Sequence, residues 1–166
     1  MPILELCAGY GGLALAVEAL TGEATTVVAE VHPAACRIMA ERFPDAPNLG
    51  DARGIDWTGL RGEVDIVSCG FPCQDISDAG TREGIKGARS GLWFTIADAI
   101  RIIRPRYVFL ENVSAIRNRG QSAVLTSLHQ IGYDTRWTTL RASDIGAAHR
   151  RERWFAIATP ADASRR

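Results

Sequence analysis

At 166 residues, with 46% hydrophobic and 23% charged side chains, the chain is long enough for one well-cored domain and too apolar to be disordered. It has no apolar run near the roughly 18 residues of a membrane span and no basic-then-apolar leader, so a cytoplasmic protein without a membrane partner is expected. The net charge is zero but uneven: residues 1–100 carry 7 basic and 14 acidic side chains and residues 101–166 carry 12 and 5, leaving an arginine-rich last third that could face phosphates or simply solvent.

Residues 2–6 read as a short buried strand. A glycine-rich turn, Gly9-Tyr10-Gly11-Gly12, follows, and then a helix with apolar Leu13, Leu15, Ala16, Val17, Ala19 and Leu20 that Gly22 stops. Strand, glycine loop and helix open a nucleotide-type α/β unit. The turn lacks the Gly-Lys-Ser/Thr end that cradles a triphosphate, so a ligand without one is favoured over it; a plain tight turn is the other reading. Residues 25–30 form a second strand ending in Glu30, 18 residues after Gly12, where cofactor-binding α/β folds place a carboxylate for ribose hydroxyls. Val31 and His32 border that point, and Pro33 starts a helix over residues 34–43. Asn48-Leu49-Gly50-Asp51-Ala52 is rich in turn formers.

The central segment is Val64-Asp65-Ile66-Val67-Ser68-Cys69-Gly70-Phe71-Pro72-Cys73-Gln74. It opens with strand character and must break at Gly70 and Pro72, which releases Cys73 into the loop at a strand's carboxyl end, where α/β folds place their chemistry. A buried, inert thiol is the alternative for Cys73. Residues 78–90 are polar and glycine-bearing, with Thr81, Arg82, Gly84, Lys86, Gly87 and Arg89, and a loop of that length inside a domain is usually functional or mobile. Helical spacing over Gly91 to Ile103 ends before Pro105. Residues 107–110 then read as a buried strand delivering Glu111-Asn112 beside Cys73. A helix over 121–131 precedes two strands, 133–141 and 153–159, which have no helix between them and so pair antiparallel. The loop between them carries His149, Arg150 and Arg151.

The whole predicts a doubly wound, mostly parallel α/β sheet with an antiparallel edge strand. It forms one domain over residues 1–160 with a tail at 161–166. Cysteines 7, 36, 69 and 73 lack the spacing of a metal site, and a reducing compartment disfavours disulfides, so free thiols and no metal are expected.

Five segments, in order, resemble the motifs of the DNA (cytosine-5) methyltransferases. Leu4-Glu5-Leu6-Cys7-Ala8-Gly9-Tyr10-Gly11-Gly12 is similar to the cofactor loop, and Glu30 to the acidic residue after the second strand. Gly70-Phe71-Pro72-Cys73-Gln74 resembles the nucleophile motif, Glu111-Asn112-Val113 the second catalytic motif, and Arg151-Glu152-Arg153 the arginine motif. The resemblance implies a Rossmann-like methyltransferase that binds S-adenosyl-L-methionine through Cys7, Ala8, Gly9, Tyr10, Gly11, Gly12, Glu30, Val31, Asp51, Ala52, Gly70 and Pro72, with Asp51 on the adenine amino group. It implies Cys73, Glu111, Arg151 and Arg153 as catalytic, and residues 78–90 as a loop closing over a cytosine flipped out of DNA. His149 stands where the family's arginine motif begins with glutamine. The family's target-recognition domain and final helix have no counterpart in these 166 residues, so a second polypeptide or a homo-oligomer is expected to supply target recognition. A catalytically idle cofactor-binding subunit or remnant, and a tRNA cytosine-5 methyltransferase, are the alternative readings; the Cys-Phe-Thr element of the latter is absent.

Overall fold

The computed structural model describes residues 1–72 and 91–162, apart from the side chain of Arg119. The strands are β1 (Ile3–Leu6), β2 (Thr25–Ala29), β3 (Ile66–Cys69), β4 (Tyr107–Val113), β5 (Tyr133–Arg141) and β6 (Glu152–Pro160). The helices are α1 (Gly12–Thr21), α2 (Pro33–Arg42), α3 (Gly91–Ile103), the single turn α4 (Ile116–Arg119) and α5 (Gln121–Gln130). They build a six-stranded sheet in the order β2-β1-β3-β4-β6-β5. β2, β1, β3 and β4 are parallel, and β6 runs antiparallel to both its neighbours, so the antiparallel strand lies one place in from the edge and β5 closes the sheet.

Alternation along the strands sorts the core into two layers. Leu4, Leu6, Val67, Val108, Leu110, Trp154 and Ala156 pack with Trp93, Ile96 and Ile100 of α3 and Val124 and Leu128 of α5. On the opposite face Ile3, Ile66 and Phe109 meet Val17 of α1, while Ala14 of α1, Val28 of β2 and Met39 of α2 form an adjoining cluster. Helices on both faces make the sheet doubly wound. Glycine is favoured at Gly11, the residue before α1, because its φ is +74°; a Cβ there would also come within 2.8 Å of Met39 Cε and oblige that side chain to shift. Gly22, at φ +72°, ends α1 in the left-handed conformation and returns its N–H to Glu18 O at 2.8 Å.

Two boundaries differ from the sequence expectation for a physical reason. β3 begins at Ile66 rather than Val64, because the N–H groups of both Asp65 and Ile66 turn onto the single carbonyl of Pro2. β4 does not end at Leu110. It continues through Glu111 and Asn112 to Val113, since β6 keeps pairing with it down to Val113 opposite Arg153. Three short 3-10 turns, Ala52–Gly54, Trp57–Leu60 and Ala142–Ile145, lie outside the sequence expectation; Asp51 and Asp56 start the first two by accepting from Arg53 N and Thr58 N, both at 3.0 Å. Among the described residues no helix is long and apolar enough to cross a membrane.

Candidate active site

The carboxyl ends of β1, β2 and β3 open on two neighbouring cavities that share Cys7 as a wall. Cys7 follows β1 at φ +54°, an uncommon conformation for a residue with a Cβ, and its N–H donates to Ala29 O at 3.0 Å. The strained turn is thereby tied to the end of β2. The first cavity, about 200 Å³, is lined by Cys7, Glu30, Val31, Asp51, Ala52, Pro72 and Leu92, among others. Glu30 organises it: Oε2 accepts from Gly9 N at 2.8 Å, and Oε1 from Val31 N at 2.8 Å and His32 N at 2.7 Å. One carboxylate thus clamps the glycine loop to the β2–α2 turn, and Oε2, with a single protein donor, keeps capacity for another. Asp51 is exposed and turned partly to Arg53, with Nη1 at 3.4 Å from Oδ2.

The second cavity, about 490 Å³, is lined by Cys7, Ala8, Gly9, Tyr10, Gly12, Gly70, Glu111 and Arg151 together with Glu5 and Phe155. Side chains at Gly9 and Gly12 would project into open space, so the backbone itself forms that wall. Glu111 is half-buried and Arg153 Nε lies 2.7 Å from its Oε1. Next to it, buried Asn112 points to the other face, donating through Nδ2 to Phe71 O at 2.8 Å and accepting from Val113 N at 2.8 Å. Asn112 therefore pins the turn that leads out of β3 towards Cys73. Arg151 is exposed, and its N–H reaches His149 Nδ1 at 3.4 Å.

Of the residues anticipated from sequence, all of those on the glycine loop except Gly11 line a cavity. Gly11 instead packs beneath α2. Glu30, Val31, Asp51, Ala52, Gly70, Pro72, Glu111 and Arg151 also line one, and Arg153 stands behind Glu111 as its ion-pair partner. Cys73 and the loop over residues 78–90 lie outside the described residues. Cys7, Cys36 and Cys69 are free thiols; Cys69 is buried against Cys7, and its burial, followed by that contact, pushes its pKa up. Sequence reasoning missed Glu5, Ser68 and the bridging role of Asn112. For Glu5 a signal existed, since a carboxylate inside the apolar run Ile3-Leu4-Glu5-Leu6 breaks the pattern of a strand buried on both faces.

A ligand that presents hydroxyl or N–H donors to Glu30 and extends along the glycine backbone suits this arrangement. The first cavity offers a carboxylate acceptor and apolar walls, and the second a glycine backbone cradle leading to Glu111.

The model of the C-5 cytosine-specific DNA methylases matches residues 1–165. Similar curated proteins include the Type II methyltransferase M.CviJI of Paramecium bursaria Chlorella virus IL3A, 35% identical over 96% of this chain and 43% of its own length. The Type II methyltransferase M2.BsuMI of Bacillus subtilis (strain 168) is 34% identical over 96% of this chain and 42% of its own length. The chain thus spans about two fifths of the length of these relatives. Among solved structures, the S. pombe Dnmt2 methyltransferase superposes with a TM-score of 0.79 at 21% identity, covering 97% of this chain and 51% of that one. The Entamoeba histolytica methyltransferase EhMeth superposes with a TM-score of 0.77 at 19% identity, covering 96% and 52%. With the family model matching nearly the whole chain and these strand ends carrying its motifs, the chain belongs to the C-5 cytosine-specific DNA methylases.

Proposed function

We propose that this protein carries a methyl group from S-adenosylmethionine to C5 of cytosine in DNA through a covalent adduct on Cys73. The observation that supports it best is that Glu111, held from behind by Arg153, lines the same glycine-walled cavity at the ends of β1 and β3. Cytosine C5 is too weak a carbon nucleophile to be methylated directly. Addition of a thiolate to C6 converts the C4–C5 edge to an enamine, and cysteine is suited because its thiolate adds and later leaves. The pyrimidine gains negative charge at N3 and O2 as the C6–S bond forms. Glu111 supplies a hydrogen bond or proton at N3, and Arg153 fixes the Glu111 carboxyl in orientation.

S-adenosylmethionine, when bound, supplies the electrophilic methyl group. Glu30 and the Gly9–Gly12 backbone would hold its ribose and amino-acid parts, with Asp51 and Pro72 beside the base. Once C5 is methylated, loss of its proton to solvent restores the aromatic ring and expels the Cys73 thiolate. A cytosine stacked in a duplex shows neither face of C6, so a DNA substrate must present it flipped out.

Target recognition would come from outside the described elements: a further part of the same protein, a second polypeptide or a second copy of this chain. Sequence is read at base edges, and the described elements are taken up by the sheet and the two cavities. α1 buries only Ala14 and Val17 and leaves Leu15 and Leu20 exposed, apolar side chains open to such an association.

DNA containing 5-fluorocytosine tests the covalent step, because fluorine at C5 cannot leave as a proton does. A stable protein–DNA adduct, abolished by Cys73→Ser, is expected in the presence of cofactor. Methyl transfer without any adduct would sink the mechanism. Methylation of tRNA and not DNA would favour the RNA reading.

A further inference from the structure

Beneath the residues assigned above lies a carboxylic acid inside the sheet. Glu5 stands between Leu4 and Leu6 of β1, is 1% exposed, and in register faces Ser68 of β3, which is fully buried. The Ser68 hydroxyl donates to Glu5 Oε2. The same register continues to Phe109 of β4, with Glu111 two residues further along on that face. The pair is inside the protein but not sealed from ligand, because Glu5 contributes to the wall of the 490 Å³ cavity with Gly9, Gly12, Gly70 and Glu111.

A buried acid costs free energy that leucine or valine at this inward position would not. Such a group persists where its proton has work to do. Burial, and after it the carboxylates of Glu111 on β4 and Glu30 at the end of β2, push the Glu5 pKa up to about 8, against the Ser68 hydrogen bond, which lowers it. Among the described residues, the other titratable or charged groups facing this region are the thiols of Cys7 and Cys69, Tyr10 and the Arg151 guanidinium on the cavity wall, and Arg153 behind Glu111. In the resting protein at neutral pH, Glu5 is a neutral acid.

We propose that Glu5 is the residue by which this site distinguishes a cationic methyl donor from its neutral thioether product: the carboxyl, held by Ser68 in the cavity wall, ionises when a sulfonium enters and is reprotonated once that charge has gone. The inference rests on the donor assigned under the proposed function. Proton balance is simple. Donor binding sends the Glu5 proton to solvent, methyl transfer converts the sulfonium to a thioether, and Glu5 then takes a proton back from solvent. A carboxylate left in the wall without its counter-charge is disfavoured, so the product is held less tightly than the donor.

Linkage gives the sign. The donor prefers ionised Glu5 and the product does not, so the donor-over-product preference rises with pH until Glu5 is ionised in the free protein, near pH 8. The ligand amino group titrates lower in the sulfonium donor than in the thioether product, so the Glu5 contribution is the part of the pH dependence that disappears in Glu5→Gln.

Calorimetric titration of the full chain with S-adenosylmethionine and with S-adenosylhomocysteine, at pH 6.5, 7.5 and 8.5 and in two buffers of different ionisation enthalpy, tests this. The wild type should show a preference rising about tenfold across this range, with proton release on binding the donor and none on binding the product. Glu5→Gln, which keeps the shape and an acceptor for Ser68, should flatten the ratio and abolish the release. Ser68→Ala, which removes the hydrogen bond that lowers the Glu5 pKa, should move the rise to higher pH, a displacement that a purely structural role would not produce. If Glu5→Gln does not fold, the wild type and Ser68→Ala decide the matter. Both ligands bound with a ratio independent of pH, or a rise that survives in Glu5→Gln, would overturn the Glu5 inference alone. Folded wild type that binds neither ligand would overturn the donor assignment and this inference with it.

Discussion

Arg153 and Glu111 stand on neighbouring antiparallel strands, one rung apart on the same face, and Arg153 Nε closes on Glu111 Oε1 at 2.7 Å. The contact is the diagonal one that a sheet offers to long side chains. It exists because β6 was paired beside β4 instead of at the far edge of the sheet. The Glu111 carboxyl is thereby mounted on a strand and held from the side.

That geometry separates activity from stability. Glu111→Gln should lower kcat for methyl transfer by about 10²–10⁴-fold, the range for loss of a positioned acid or base. Arg153→Ala should lower it as well, while changing unfolding free energy by only about 0–1 kcal/mol, since the pair is partly solvated. Single-turnover methylation and urea unfolding on the same preparations would check both. A large stability loss in Arg153→Ala would mean that the pair serves the fold.

Asn112 should behave differently. It is 2% exposed and spans from β4 to the Phe71 carbonyl, so Asn112→Ala leaves that carbonyl and the Val113 N–H short of partners and should cost about 1–3 kcal/mol of stability. The turn towards Cys73 would also lose its tie, and adduct formation on 5-fluorocytosine DNA should slow even at temperatures where the variant remains folded. Normal adduct kinetics in a destabilised variant would limit Asn112 to a structural role.

Glu30→Ala removes the acceptor of three backbone N–H groups and, on the proposed function, of the cofactor ribose. Cofactor affinity should fall by about 1.5–3 kcal/mol, the scale of hydrogen bonds to a charged group. Calorimetry gives the affinity, and amide exchange at Gly9, Val31 and His32 reports whether the clamp has opened. Unchanged affinity with faster exchange would show that Glu30 only holds the loop.

The raised pKa of Glu5 makes a folding prediction independent of any ligand. Its proton is bound more tightly in the folded state than in the unfolded chain, so its contribution to stability is fully present below about pH 4.5 and is lost as pH rises to about 8. The unfolding free energy of Glu5→Gln minus that of wild type should therefore increase between about pH 5 and 8 and level off above. Subtracting the two curves removes the titration of the other groups. A difference that stays constant with pH would show that Glu5 does not carry its proton in the folded protein.

Much of the architecture was legible in the linear chain because its signals are local. The glycines that end α1 and open the loop, the prolines that begin α2 and follow α3, and the apolar runs of a parallel sheet each act within a few residues. The spans of α3 and β5 were accordingly anticipated to the residue, and Gly9, Gly12, Glu30, Glu111 and Arg151, singled out from sequence, line the two cavities, whereas Gly11 does not. What depended on pairing between distant segments was not legible. β4 was extended past Leu110 only because β6 lay beside it, and the place of β6 between β4 and β5 follows from no local pattern. The same holds for Asn112 reaching Phe71 and for Glu30 closing on three N–H groups. The state of Glu5 shows the reason most directly: a carboxyl in water ionises, and only a tertiary structure that removes the water and sets Ser68, Glu30 and Glu111 around it can hold its proton at neutral pH.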